Sequence, residues 1–155
     1  MKITPMIYGN GVGFMTIRYD ETAKDLPVDQ LHHLFFSVGW SGSAKETDSH
    51  MLSNFNAPFV NSTLVISAWD GERLVGAIRV LSDTIIRSII YDLVVDPDYQ
   101  GKGIGKEMVK RCISHYPKSE WILETTDNNI PFYEKAGFTR HNSVHFRIPS
   151  VYQPE

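Results

Sequence analysis

A single cysteine, Cys112, stands among 155 residues, so no internal disulfide can brace the fold. No apolar run approaches the ~20 residues a membrane-spanning helix needs. The opening residues also lack the basic stretch and long apolar core of a secretory signal. A cytoplasmic protein without a membrane partner is the expectation. Positive charge is scarce as well: 15 Lys and Arg stand against 18 Asp and Glu, a net charge of -3. With a pI near 6.0, there is no general basic field to hold nucleic acid. Repeats, low-complexity tracts and linkers are missing, which leaves one domain spanning residues 1–155.

What is present is ordinary for a globular chain: 42% apolar and 21% charged residues. A chain of this length can bury roughly two-thirds of its unfolded surface without metals or disulfides. Gly9, Gly11 and Gly13 read as a flexible entry to a strand from Phe14 to Tyr19. Val28, Leu31, Phe35 and Val38 have helical spacing, with Asp25 and Pro27 ahead of them and Gly39 behind. Thr47 or Asp48 can cap a short helix carrying Met51, Leu52 and Phe55. Ser62–Trp69 and Arg73–Leu81 alternate around Asp70-Gly71, a hairpin signal. Ile85–Val95 is nearly continuously apolar, as in a strand covered on both faces near the middle of a sheet. The helix after it carries Met108, Val109, Cys112, Ile113 and Tyr116 on one side, and Glu107 is spaced to pair with Arg111. A strand at Trp121–Thr125, a helix containing Pro131 and closing at Gly137, and a last strand from Thr139 to Ile148 complete the order.

The stretch with the most chemistry lies between the long strand and its helix: Val94-Val95-Asp96-Pro97-Asp98-Tyr99-Gln100-Gly101-Lys102-Gly103-Ile104-Gly105-Lys106. Alternating glycines let several backbone N–H groups converge on an anion at a helix N-terminus, where the dipole adds positive charge. The dinucleotide fingerprint fails here because the third glycine comes one residue too early. A Walker A loop fails because three residues, and not four, separate Gly101 from Gly105 and Glu107, with no hydroxyl, follows Lys106.

Gln100, Gly103 and Gly105 do match the Gln/Arg-x-x-Gly-x-Gly/Ala signature, and the stretch resembles that of the GCN5-related N-acetyltransferases. Pro131-Phe132-Tyr133-Glu134-Lys135-Ala136-Gly137-Phe138 is similar to a second passage of the same family. The predicted element order agrees from about Phe14 to Ile148, and least well between Trp40 and Asn61. The resemblance implies an α/β (α+β) fold: a mixed, mostly antiparallel sheet with helices on both faces and a splay at the central strand. It implies direct acetyl transfer from acetyl-CoA to a primary amine of a small molecule or peptide. A non-catalytic acyl-CoA sensor and an assembly module that has lost the cofactor are the other classes. A homodimer is compatible with each.

Roles follow from the resemblance together with the needs of thioester chemistry. The amides of Gly101, Lys102, Gly103, Ile104, Gly105 and Lys106, with Gln100 beside them, would hold the pyrophosphate of coenzyme A. Leu93, Val94 and Val95 would pair with the pantetheine arm, and an amide near Val94 would polarise the thioester carbonyl. Tyr133 would protonate the departing thiolate. Where some relatives carry a glutamate base, Ile89 stands here. Asp92 is the nearest carboxylate, and two roles are open to it: base, or partner for free backbone groups. Asn128 and Asn129 are open to cofactor contact or helix capping. Trp40, Phe55 and Phe59 could wall the acceptor, and Glu46 and Asp48 could meet a cationic amine. The six histidines have no metal-ligand spacing, and no metal is expected.

Overall fold

The computed structural model describes residues 16–152 in full and the backbone of 4–8 and 11–15 before them. Two compact units divide the chain, residues 1–124 and 125–155. In the first, β1 (Thr4–Tyr8) and β2 (Gly11–Met15) pair antiparallel as a separate two-stranded sheet. Where the sequence suggests a loop and then one strand from Phe14, the structure has this hairpin, a break at Thr16 and then β3 (Ile17–Asp20). Gly9, in the expected loop, lies outside the described residues.

The main sheet comprises β3, β4 (Leu64–Asp70), β5 (Arg73–Ser82), β6 (Arg87–Val95) and β7 (Glu120–Leu123), neighbours in that order. All neighbours are antiparallel except β6 and β7, so the sheet is mixed and mostly antiparallel. The β4–β5 turn forms at Gly71, where φ is 57°. β6 is an interior strand but sits next to the β7 edge, and β5 takes the middle place.

Helices cover both faces. α1 (Val28–Ser37) buries Leu31 and Leu34, and its end closes through Gly39 N to Phe36 O and Trp40 N to Phe35 O, each 3.0 Å. Asp25 does not cap it; its carboxylate accepts from Asn56 Nδ2 instead. α2 (Ser49–Ser53) is capped by Asp48, which accepts from Met51 N at 2.9 Å, and α3 (Ala57–Val60) follows, a helix without a separate sequence signal. Leu26, Leu31, Leu34 and Phe59 form one core cluster with Val65, Leu74, Ala77 and Val94 of the sheet. Successive side chains of a strand point to opposite faces, so Gly76, beside Ala77, faces the other way and meets α4 (Ile104–His115). There a Cβ would come within 3.0 Å of Met108 Cε and 3.4 Å of Ile104 Cγ2, so glycine lets the helix approach the sheet closely. The expected Glu107–Arg111 pair forms at 3.0 Å.

In the second unit a 3₁₀ turn (Asp127–Asn129) leads into α5 (Ile130–Lys135), which closes through Gly137 N to Glu134 O and Phe138 N to Tyr133 O. The last strand expected at 139–148 is not formed: 139–149 has no ladder among the described residues. Val144, Phe146 and Ile148 alternate as a strand would but are 81%, 90% and 97% exposed. Alternation encodes a face to bury, and a strand also needs a neighbour for its backbone.

Candidate active site

The glycine turn is built at the end of β6 by a set of long-range bonds. Asp96 is buried and accepts from Asp98 N at 2.9 Å, capping the 3₁₀ turn Pro97–Tyr99. Its other carboxylate oxygen takes Arg73 Nη2 at 2.8 Å, and Tyr99 Oη donates to Asp70 Oδ2 at 2.6 Å. Arg73 and Asp70 flank the β4–β5 turn, so that hairpin grips the start of the glycine loop. Gly101 and Gly103 then adopt φ of 73° and 84°, and an added Cβ would touch nothing within 4 Å at either. Backbone conformation, and not crowding, therefore selects glycine here.

Gly103 caps α4 without a side chain, and the first bond into the helix is Glu107 N to Gly103 O at 3.0 Å. The amides of Gly101, Lys102, Gly103, Ile104, Gly105 and Lys106 donate to no described group. A helix start leaves its first four N–H groups open as a rule; here the left-handed turn adds those of Gly101 and Lys102 to the row. Such an array accepts an anion with several oxygens, which is what a diphosphate offers. Lys102 instead folds back, its ammonium bonded to Asp98 O and 5.2 Å from the Tyr99 ring centre, while Lys106 is exposed.

Beside the turn, β6 has an open edge. β7 pairs only with Arg87–Ile90, so among the described residues the stretch from Tyr91 to Val95 has a strand neighbour on its β5 side alone, which is the splay. Asp96 N donates to Val75 O at 2.9 Å. Alternation along an antiparallel ladder then turns the Val94 and Asp92 amides toward β5 and those of Leu93 and Val95 toward the open edge. The side chain of Val94 is core, and its amide is not the one facing the gap. Gln100 Nε2 donates to Val95 O at 2.9 Å, so this residue ties the turn to the strand.

Asp92 is ion-paired with Arg79 on β5, and Ile89 pairs with Ile122 of β7. The pairing of Asp92 and of Asp96 with arginines distant in sequence carries no local sequence signal. The expected wall residue Phe59 lines no open site: it is 2% exposed and packs against Phe35, which also meets the half-buried Phe55 edge-on. Trp40 is half exposed beside Phe35. Glu46 accepts from Ser43 N and Oγ, and Asp48 is the α2 cap, so both have local structural work.

In the second unit Tyr133 lies between Phe132 and Phe138, with ring centres 4.9 and 5.8 Å away, and burial raises its phenol above the usual tyrosine range. Asn128 is exposed, and Asn129 caps α5 without a side-chain bond, its amide reaching Thr126 Oγ1 at 3.4 Å. Cys112 is buried on α4 and its thiol is pushed up to about 12, which removes it as a nucleophile. A surface hollow of about 350 Å³ lies along α4, lined by Glu21, Glu107, Lys110, Arg111, Ser114 and His115. Its Glu21 bonds His115 and Arg111, which hold that carboxyl below its usual range. Among the described residues no group of three or more His, Cys, Asp or Glu side chains is placed to bind a metal.

The acetyltransferase (GNAT) domain family model matches residues 41–148, a range that takes in the turn and the Tyr133 motif. The chain belongs to the GNAT acetyltransferase family. Acyl transfer is its enzyme class, and the GNAT family uses acetyl-CoA. An uncharacterised N-acetyltransferase, ycf52, of Porphyra purpurea is 30% identical over 79% of this chain and 70% of that protein. Among solved structures, a GNAT-family protein of Streptococcus pneumoniae has a TM-score of 0.68 at 23% identity, covering 85% of this chain and 98% of that one. An aminoglycoside acetyltransferase from a soil metagenome has a TM-score of 0.64 at 25% identity, with 86% and 96% covered. The GNAT chain spans 64% to 75% of the length of ycf52 and three related N-acetyltransferases.

Proposed function

We propose that the 155 residues act as one GNAT domain that moves an acetyl group from acetyl-CoA directly to a primary amine of a small molecule or peptide. The observation that carries this reading is the row of acceptor-free amides from Gly101 to Lys106, set beside the open edge of β6. Bound acetyl-CoA would supply the activated acetyl group as a thioester. The amides of 101–106 hold its diphosphate, and Leu93 and Val95 present the N–H groups with which an extended amide-bearing arm can pair. One of those two amides stabilises the developing oxyanion. Tyr133 is the proton donor to the thiolate, since a phenol raised by burial stays protonated throughout the neutral range. Direct transfer needs no enzyme nucleophile, in keeping with the buried Cys112.

The acceptor is proposed only as an amine; the aminoglycoside enzyme among the structural neighbours shows one class that this architecture serves. Isothermal titration with acetyl-CoA, followed by a coenzyme A release assay over a panel of amines, tests the reading. Saturable binding with turnover of at least one amine is the expected result. Absence of acetyl-CoA binding overturns it. Binding without turnover of any amine favours the acyl-CoA sensor, a reading that draws support from the commitment of Asp92 to Arg79 and from Ile89 where a base would stand.

A further inference from the structure

Arg79 is a charged side chain that the cofactor reading leaves without a task. It stands on β5 opposite Asp92, at the far end of the open β6 edge from the glycine turn. There the ladder slips: Arg79 pairs with Asp92 and Val80 with Ile90, so Tyr91 is the extra residue of a β-bulge. A bulge re-aims neighbouring side chains. Here it sets the Tyr91 ring 4.8 Å from the guanidinium carbon, which is also 6.0 Å from the Phe59 ring centre. Arg79 is only 15% exposed and Asp92 23%.

The hydrogen bonding of this guanidinium is one-sided. Nε donates to Asp92 Oδ2, while the two terminal nitrogens bond to no described group. Among the described residues no buried side-chain nitrogen or oxygen lacks a partner, so both terminal nitrogens reach solvent. An arginine serving only to neutralise Asp92 needs no such arrangement. With Nε held by a carboxylate and the Tyr91 ring 4.8 Å from its carbon, the guanidinium is restrained, and its two unbonded terminal nitrogens form a fork whose spacing matches two oxygens of one oxyanion.

We propose that Arg79 binds a carboxylate or phosphate carried by the acceptor amine, with Asp92 positioning the guanidinium and Tyr91 covering it. This rests on the proposed reaction only in assigning the bound anion to the acceptor; the anion site itself stands on the geometry of Arg79. It gives Asp92 the part of a positioning residue.

Two measurements separate the claims. First, the Arg79 Nε–H resonance is followed by NMR while inorganic phosphate or acetate is added, with Arg73 as the exposed reference. A saturable shift at Arg79 with one anion is expected, and the responding anion tells phosphate from carboxylate. No saturable shift with either overturns the proposal, whether or not acetyl-CoA binds. Second, phosphoethanolamine is compared with ethanolamine, and β-alanine with its amide, as acceptors and as ligands of the acetyl-CoA complex. Arg79→Lys keeps the charge but loses the fork, and should raise KM or Kd for the anionic member about tenfold, with kcat and the neutral member unmoved. Equal use of both members, or an equal loss for both in the variant, refutes the assignment. Failure of acetyl-CoA to bind, with the NMR shift intact, would sink the proposed reaction and leave the anion site standing.

Discussion

Placing an alanine at Gly103 and at Gly105 should move stability and cofactor affinity in different ways, and the comparison tests the phosphate seat directly. At Gly103, φ is 84° and nothing lies within 4 Å of an added Cβ, so the whole penalty is backbone strain. For an L residue in the left-handed region that is roughly 1–2 kcal/mol. If the turn keeps its shape in the free protein, the cost appears as lost stability, a fall in Tm of roughly 2–8 °C at this chain length. If the turn relaxes until ligand binds, the cost appears instead as an acetyl-CoA Kd weakened about five- to thirtyfold. Between unfolded and bound states the two losses must add up to the strain. Gly103→Asn, a residue more tolerant of left-handed backbone, should recover most of it. Gly105 lies inside α4 with no positive φ, so Gly105→Ala gains about 0.5–1 kcal/mol of helix stability. Its methyl leans toward the helix N-terminus, onto the amides of the seat, so affinity should fall while Tm rises. Calorimetric titration and thermal unfolding on the three variants read both quantities. Unchanged Kd in Gly105→Ala together with a summed loss near zero in Gly103→Ala would refute the seat.

Gly76→Val should destabilise the fold by about 1–3 kcal/mol, the usual cost of overpacking, because its side chain meets Met108 and Ile104; an unchanged denaturant midpoint would contradict the close approach of α4 to β5. Cys112 should resist a thiol-specific reagent in the native protein and react fully in denaturant, since burial both shields it and raises its thiol to about 12; rapid native labelling would contradict that burial. Glu21 has a lowered folded pKa, through its bonds to His115 and then Arg111, so its stabilisation is present above the unfolded carboxyl value near 4.5 and is lost as pH falls through the lower folded value. Glu21→Gln should therefore flatten the acid limb of a urea-midpoint profile below that pH, and an unaltered limb would remove the pair from the account of acid stability.

The local elements were legible because each is written in a few consecutive residues. The α1 stripe, the Asp70-Gly71 hairpin, the Asp48 cap and the glycine turn all rest on spacing or on a single demanding backbone angle, and all are found. The failures share a cause. The strand expected at 139–148 has the right alternation, but alternation does not supply a neighbouring backbone. Phe59 reads as a possible acceptor wall because it adjoins the polar segment that ends at Pro58, yet α3 turns it into the core cluster with Leu31 and Ala77. Asp25 has the spacing of a helix cap, but the carboxylate is taken by Asn56, 31 positions away.

The same reasoning explains why the cofactor side of the site can be read from sequence and the acceptor side cannot. The proposed phosphate seat would use backbone amides whose direction is set by Gly101, Gly103 and the start of α4, all within one short stretch. The open edge beside it depends on strand length: β6 has nine residues and β7 four, so the gap from Tyr91 to Val95 exists only once both strands are placed in register. One step further, the fork at Arg79 depends on the slip that inserts Tyr91, on Asp92 thirteen positions away, and on Phe59 from another element. None of these residues is unusual for its own strand or helix, and only their register makes them a site. On the proposed reading, the phosphate seat rests on one short stretch of chain, while the anion site at Arg79 rests on where a single bulge falls.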